Sequence, residues 1–152
     1  MVTRARSVHC ISIPISQMKT REFSHEHARG VRIHRKMGEF EAALLDGVER
    51  YDMKTGYVWY YLRDEVANPG RLNVGLCFHH GALEIVSLSV RDHDLGKSWD
   101  DWSEEKERER AKRTEEWLAE HGFPIGEFPW GTIWAGVDAK GGYGSAVVQY
   151  GG

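Results

Sequence analysis

Residues 98–121, SWDDWSEEKERERAKRTEEWLAEH, constrain the fold of this chain more than any other stretch. Glu, Lys, Arg, Ala and Leu fill most of it, and these are strong helix formers. Neither Gly nor Pro interrupts it. Ser98 and Asp101 stand at capping-box spacing, with Asp in place of Glu, and Ser103 is a second N-cap candidate. Asp100, Asp101, Glu104 and Glu105 crowd the first turns, where they face the positive end of the helix dipole. Gly122 and Pro124 form a natural stop. The spacing predicts one long helix over 98–121. Its thin apolar stripe (Trp102, Ala111, Thr114, Trp117, Leu118) implies anchoring through the tryptophan ends, with a charged centre facing solvent.

The rest of the chain reads as strands. Tyr57–Leu62 is aromatic and β-branched, and residues 72–78 and 82–90 flank the turn His79-His80-Gly81. Together they predict a three-stranded antiparallel meander. Leu72, Val74, Leu76 and Phe78 alternate toward one face, as do Leu83, Ile85 and Leu88 with a slip near Val86. Residues 132–137 and 145–150, joined by the glycine-rich 138–144, predict a second hairpin that contributes Ile133, Val137, Ala146 and Val148 to the same core. Upstream, 9–15 fits an edge strand limited by Pro14, 17–29 a loop, and 31–35 a short strand. Residues 39–48 satisfy helical spacing (Phe40, Ala43, Leu44, Val48) and also alternate; a short helix stopped by Gly47 is the expectation. Residues 52–56 form a turn, and Asn68-Pro69-Gly70 breaks the chain. No repeat, linker or parallel βαβ pattern is visible. The expected class is α+β, an antiparallel sheet (meander plus C-terminal hairpin) packed against one long helix. The 152 residues suit a single domain, with 1–7 disordered.

Charge divides the chain. Residues 1–36 hold eight Lys/Arg against two Glu, a net of +6; the remainder holds twelve against twenty-one acids, a net of −9. The basic arm lacks the interleaved aromatics of a nucleic-acid tail, and the acidic body disfavours nucleic acid and suits a basic partner. No run of about 18 apolar residues is present, so no membrane span is expected. Arg4 and Arg6 before the apolar stretch 8–15 loosely mimic a secretion signal. That stretch is short, broken by His9, Ser12 and Pro14, and no small-residue cleavage site follows, so a cytoplasmic protein is expected. Cys10 and Cys77 suit that compartment, Cys77 as a core thiol.

No motif spells out a chemistry. His25-x-His27, His79-His80 and His93 between Asp92 and Asp94 match no established metal-ligand spacing, so neither metal nor cofactor is expected. Ser87, Ser89 and Cys77 lie in ordinary strands without a nucleophile elbow, and DAKGGYG lacks the phosphate-loop pattern. What stands out is a surface. Asp92, Asp94, Asp100, Asp101, Glu104 and Glu105 surround Trp99 and Trp102, and aromatic residues ringed by charge suit a protein interface.

Four stretches resemble small bacterial immunity (antitoxin) proteins of polymorphic or contact-dependent toxin systems. They are Arg50-Tyr51-Asp52 through Thr55-Gly56-Tyr57, Val74-Gly75-Leu76-Cys77-Phe78-His79, Ser98-Trp99-Asp100-Asp101-Trp102-Ser103-Glu104-Glu105-Lys106, and Trp130-Gly131 through Tyr150. The resemblance covers about two thirds of the chain and excludes residues 1–37. It implies a cytoplasmic protein without catalytic activity that binds and neutralises one cognate toxin, and it supplies no residue-level site. Charge complementarity, which speeds encounter with basic nuclease toxins, fits the acidic body. Two other readings stand beside it. In one, Tyr57, Trp59, Tyr61 and Trp134 line a ligand cavity of several hundred Å³. In the other, a small hydrolase brings His79 or His80 against a carboxylate with a strongly shifted pKa.

Overall fold

Nine strands and two α-helices follow one another in the computed structural model, which describes residues 21–66, 71–96 and 99–151, with the backbone alone at 64–66 and 99. The predicted disordered leader (1–7), the edge strand over 9–15, the break at 68–70 and the capping Ser98 lie outside the described residues. Within the predicted loop 17–29, the two residues β1 (His25–Glu26) pair with β2 (Arg32–Ile33) in a small separate hairpin. A short helix α1 (Glu39–Ala43) follows, as expected, but it turns the other way. Phe40 and Leu44, which supplied the helical spacing, are exposed, and Ala42 faces the core.

The main sheet has seven antiparallel strands. They are β3 (Glu49–Asp52), β4 (Tyr57–Val66), β5 (Arg71–His79), β6 (Ala82–Val90), β7 (Gly126–Phe128), β8 (Gly131–Val137) and β9 (Gly144–Tyr150), in the order β3-β4-β5-β6-β9-β8-β7. The meander and the C-terminal hairpin therefore join along β6 and β9. The edge strands β3 and β7 are additions the sequence did not announce. β3 reads ERYD and β7 reads GEF, too short and polar for a periodic signal.

Strand alternation separates the two faces. Tyr60, Leu76, Val86, Val148 and Ile133 stand opposite one another across five strands, as do Leu62, Val74, Leu88 and Ala146 across four. These residues form the core with Phe23, Ile33, Met37, Trp117 and Leu118, so residues 21–48 and the long helix cover the same face. Ile133, Ala146 and Val148 are buried as predicted, whereas Val137 is half-buried. Ile85 corrects the predicted alternation. The register shifts between Cys77 and Phe78, which pair with Ile85 and Leu83. The bulge at Glu84 sends Ile85 to the opposite face although it lies two residues from Leu83.

The long helix α2 runs Glu104–Glu120, shorter than the predicted 98–121. Ser103 is its N-cap, extended at φ −150°, and its hydroxyl accepts from Lys106 N at 3.1 Å. Trp99–Asp101 form a separate 3₁₀ turn. At the other end Gly122 adopts φ +90°, and Phe123 N donates to Leu118 O at 2.8 Å. This is a Schellman closure in which glycine takes the left-handed position.

The centre of α2 overturns the expectation of a solvated charged face. Glu107 and Arg110 are 3% and 4% exposed. Arg110 Nε donates to Glu107 Oε1 at 3.0 Å, Nη1 to Val90 O at 2.7 Å and Nη2 to Leu95 O at 2.6 Å. Glu107 Oε1 also accepts from Gly144 N at 2.8 Å, and Thr114 Oγ1 accepts from Val90 N at 3.1 Å. A buried ion pair is tolerable only when its remaining donors and acceptors are filled, and here the ends of β6 and β9 fill them. Gly144 is obligatory in this arrangement, because a Cβ there would collide with the Glu107 carbonyl. Removing one partner leaves the other charge buried and unpaired. Arg110→Ala and Glu107→Ala should each lose about 3–5 kcal/mol in chemical denaturation, with the double variant falling short of the sum. Losses near zero would mean the pair is hydrated in solution.

Candidate functional site: the start of the long helix and the hairpin tip

The acidic and aromatic residues around residue 100 meet a neighbour that is distant in sequence. Trp102 Nε1 donates to Gly142 O at 2.7 Å, which fixes the tip of the β8–β9 hairpin against the start of α2. The tip is ordered from within, since Asp138 Oδ1 and Oδ2 accept from the backbone of Lys140 and Gly141 at 3.1 and 3.0 Å. Gly142 takes φ +65°, and a Cβ there would press on the Trp102 indole at 3.2 Å. Lys106 Nζ reaches back to Asp101 O at 2.9 Å. The result is a braced surface on which Trp102 and Tyr143 remain 40% and 41% exposed. Asp100, Asp101, Glu104 and Glu105 are exposed around them. Glu104 is paired with Arg108 one turn along. Trp99 is placed in the 3₁₀ turn by its backbone.

Asp92 and Asp94, counted with this surface from the sequence, are held by Arg113. Its guanidinium donates to Asp92 at 2.8 Å and to Asp94 at 3.0 and 2.9 Å, and it also pairs with Glu109. The Asp92 side chain is almost wholly buried. Hydrogen bonding from Arg113 holds the Asp94 carboxyl below the ordinary Asp range, and the three acids hold the Arg113 guanidinium more firmly protonated than usual. Those two acids therefore fasten the 3₁₀ turn His93–Leu95 to α2, while the charge left to solvent belongs to residues 100–105. Arg113 and Tyr143 were missed in the sequence. Arg113 is hidden in a run of alternating charge, and Tyr143 in a glycine-rich turn whose destination only the fold supplies.

The other constellations do not converge. His79 and His80 sit in the β5–β6 turn, His80 and Gly81 taking left-handed φ of 49° and 84° as a two-residue hairpin requires. Asp92 and Asp94 follow the other end of β6, roughly 25–30 Å away at the rise of a strand. His79 instead stacks on Tyr57 and bonds Glu84 of the bulge at 2.8 Å. His25 packs edge-on against Trp117, and His27 Nδ1 accepts from Arg29 N. Among the described residues no group of three or more His, Cys, Asp or Glu could hold a metal, and no helix is long and apolar enough to cross a membrane. Cys77 is buried in β5, where desolvation pushes its thiol up to about 11. Tyr57, Trp59, Tyr61 and Trp134 share the face of the sheet opposite the helix, with Trp134 half exposed; they do not enclose a common cavity. Comparisons of the chain with protein-family models, curated proteins and solved structures found no match.

Two measurements check this geometry. Replacing Arg113 by Gln should raise the Asp94 carboxyl toward the ordinary value of 3.8, as read by an NMR titration of side-chain carboxyls. A folded-state pKa held low contributes stability that is present at neutral pH and is lost as pH falls through it, so the variant should also be less sensitive to acid. An unchanged Asp94 titration would separate the two groups in solution. The Cys77 thiol should resist a soluble disulfide reagent at neutral pH and react only on addition of denaturant; rapid labelling of the native protein would place it at the surface.

Proposed function

We propose that this protein is an immunity-type protein. It binds and neutralises a cognate bacterial toxin in the cytoplasm and has no catalytic activity of its own. The observation that carries the reading is the braced surface at the start of α2, where exposed Trp102 and Tyr143 stand among Asp100, Asp101, Glu104 and Glu105. Interfaces concentrate their binding energy in aromatic anchors ringed by polar residues, and a surface already held in place loses little freedom on binding. The Trp102–Gly142 bond, the Ser103 cap and the Lys106 contact provide that pre-organisation. The charge left to solvent is negative, so the partner surface is basic, and long-range attraction raises the rate of encounter. The sequence resemblance to immunity proteins supplies the kind of partner.

Co-expression with the toxin encoded beside its gene should protect cells, and the two proteins should co-elute on gel filtration. The combined substitution Asp100→Lys, Asp101→Lys, Glu104→Lys and Glu105→Lys should keep the circular dichroism of the fold, because Ser103 and the buried face of α2 are untouched. It should slow association by about tenfold or more at low salt. Absence of both protection and a complex would overturn the reading; full binding by the charge-reversed variant would move the interface elsewhere.

A further inference from the structure

The face of the sheet that α2 leaves open contains a hollow separate from the acidic surface. Tyr61, Gly75, Ser87, Val147 and Trp134 stand opposite one another across five strands, and Asn73 faces Ser89 in the next row. Small side chains thus occupy the middle of a row whose ends are large aromatics. Open sheet surfaces favour β-branched and aromatic residues, and Gly or Ser at the centre of a strand forgoes packing. A glycine there often marks close approach by another group. Part of that space goes to the rings themselves, since a Cβ on Gly75 would meet Trp59 at 3.2 Å and Tyr61 at 3.3 Å. The remainder is a cleft of about 730 Å³, within the range of small-ligand sites.

The walls and rim have definite chemistry. Along β4, Trp59 and Tyr61 stack at 5.5 Å, and the Arg63 guanidinium continues the ladder 5.6 Å from the Tyr61 ring. Tyr143 forms the opposite wall, and Arg91 also lines the cleft. Arg91 N donates to Arg71 O at 2.6 Å, so three arginines gather at this end of the central strands, in a chain whose body is acidic. Arg63 gives its Nε–H to Glu49 at 2.8 Å, which leaves four further N–H donors on that guanidinium. Ser89 donates to Gly144 O at 3.0 Å and retains acceptor capacity. Among the described residues the lining holds two guanidiniums, two hydroxyls and an amide, and no carboxylate.

We infer that this cleft binds a small hydroxylated organic anion, a sugar phosphate or sugar carboxylate. Arg91 and Arg63 hold the oxyanion, and Ser87, Ser89 and Asn73 meet the hydroxyls. Guanidinium geometry matches both phosphate and carboxylate, and charge-assisted hydrogen bonds are the stronger class. The site does not depend on the toxin-binding reading, because it shares only Tyr143 with that surface.

Titration of the full chain with glucose 6-phosphate, glucuronate, inorganic phosphate and neutral glucose, followed by amide chemical shifts, tests the inference. At least one of the two organic anions should bind saturably and move the amides of Gly75, Ser87 and Ser89, and the stronger one identifies the oxyanion. Inorganic phosphate should bind more weakly at the same residues, and glucose should not bind. Arg91→Gln should weaken binding about tenfold or more. Ser87→Leu, which fills the hollow with an apolar side chain, should abolish it; if that variant does not fold, Arg91→Gln decides. Failure of both organic anions to saturate, equal binding of glucose, or saturation unchanged in Arg91→Gln would overturn the inference.

Discussion

The buried Glu107–Arg110 pair is the interaction on which the architecture turns. One carboxylate and one guanidinium, three residues apart on α2, satisfy backbone groups at the ends of β6 and β9 and in the 3₁₀ turn that leads into the helix. β6 and β9 are the strands along which the meander meets the C-terminal hairpin. The same pair therefore closes the seam of the sheet and sets the height of the helix above it. Desolvating two charges is costly, and the cost is offset here by several charge-assisted hydrogen bonds to groups that would otherwise be buried without partners. Gly144 completes the contact, since no other residue lets the strand approach the helix backbone so closely.

From that seam the two surfaces of the protein follow. The helix and residues 21–48 cover one face, which is filled by Tyr60, Leu76, Phe78, Val86 and Val148 with Phe23 and Leu118. The other face stays open, with its aromatic ladder, its small central residues and its arginine rim. The start of α2 projects beside the β8–β9 tip, and Trp102 ties the two together. An acidic, aromatic surface and a cationic cleft thus lie on different parts of one frame, meeting only at Tyr143. Oppositely charged sites held apart in this way can engage different partners without competing for the same groups.

The hairpins were legible because their signals are local. Residues 57–62, 72–78 and 82–90 alternate or are rich in β-formers, and His80-Gly81 has the turn chemistry that their spacing demands. The long helix was legible through its composition and its stop. Its start was misplaced because residues 98–103 offer two capping serines, and the chain takes the second, spending Trp99–Asp101 on a 3₁₀ turn. Ile85 was placed in the core because alternation was counted through a bulge, and a single extra residue reverses every later side chain. Of the candidate surface, residues 100–105 were legible as acids around tryptophan. That Asp92 and Asp94 belong to Arg113, and that Tyr143 joins Trp102, was not.

By itself the sequence determined the class of fold, the meander, the C-terminal hairpin, the stop of the helix and the acid-rich start. All of these follow from periodicity, propensity and turn residues within a few positions of one another. Only the tertiary structure decided which charges are buried. Glu107 and Arg110 are indistinguishable in sequence from their neighbours Glu105, Arg108 and Glu109. Burial of a charge depends on whether the facing strands present unpaired backbone groups at the right height, and that is a relation between β6, β9 and α2, written in no one of them.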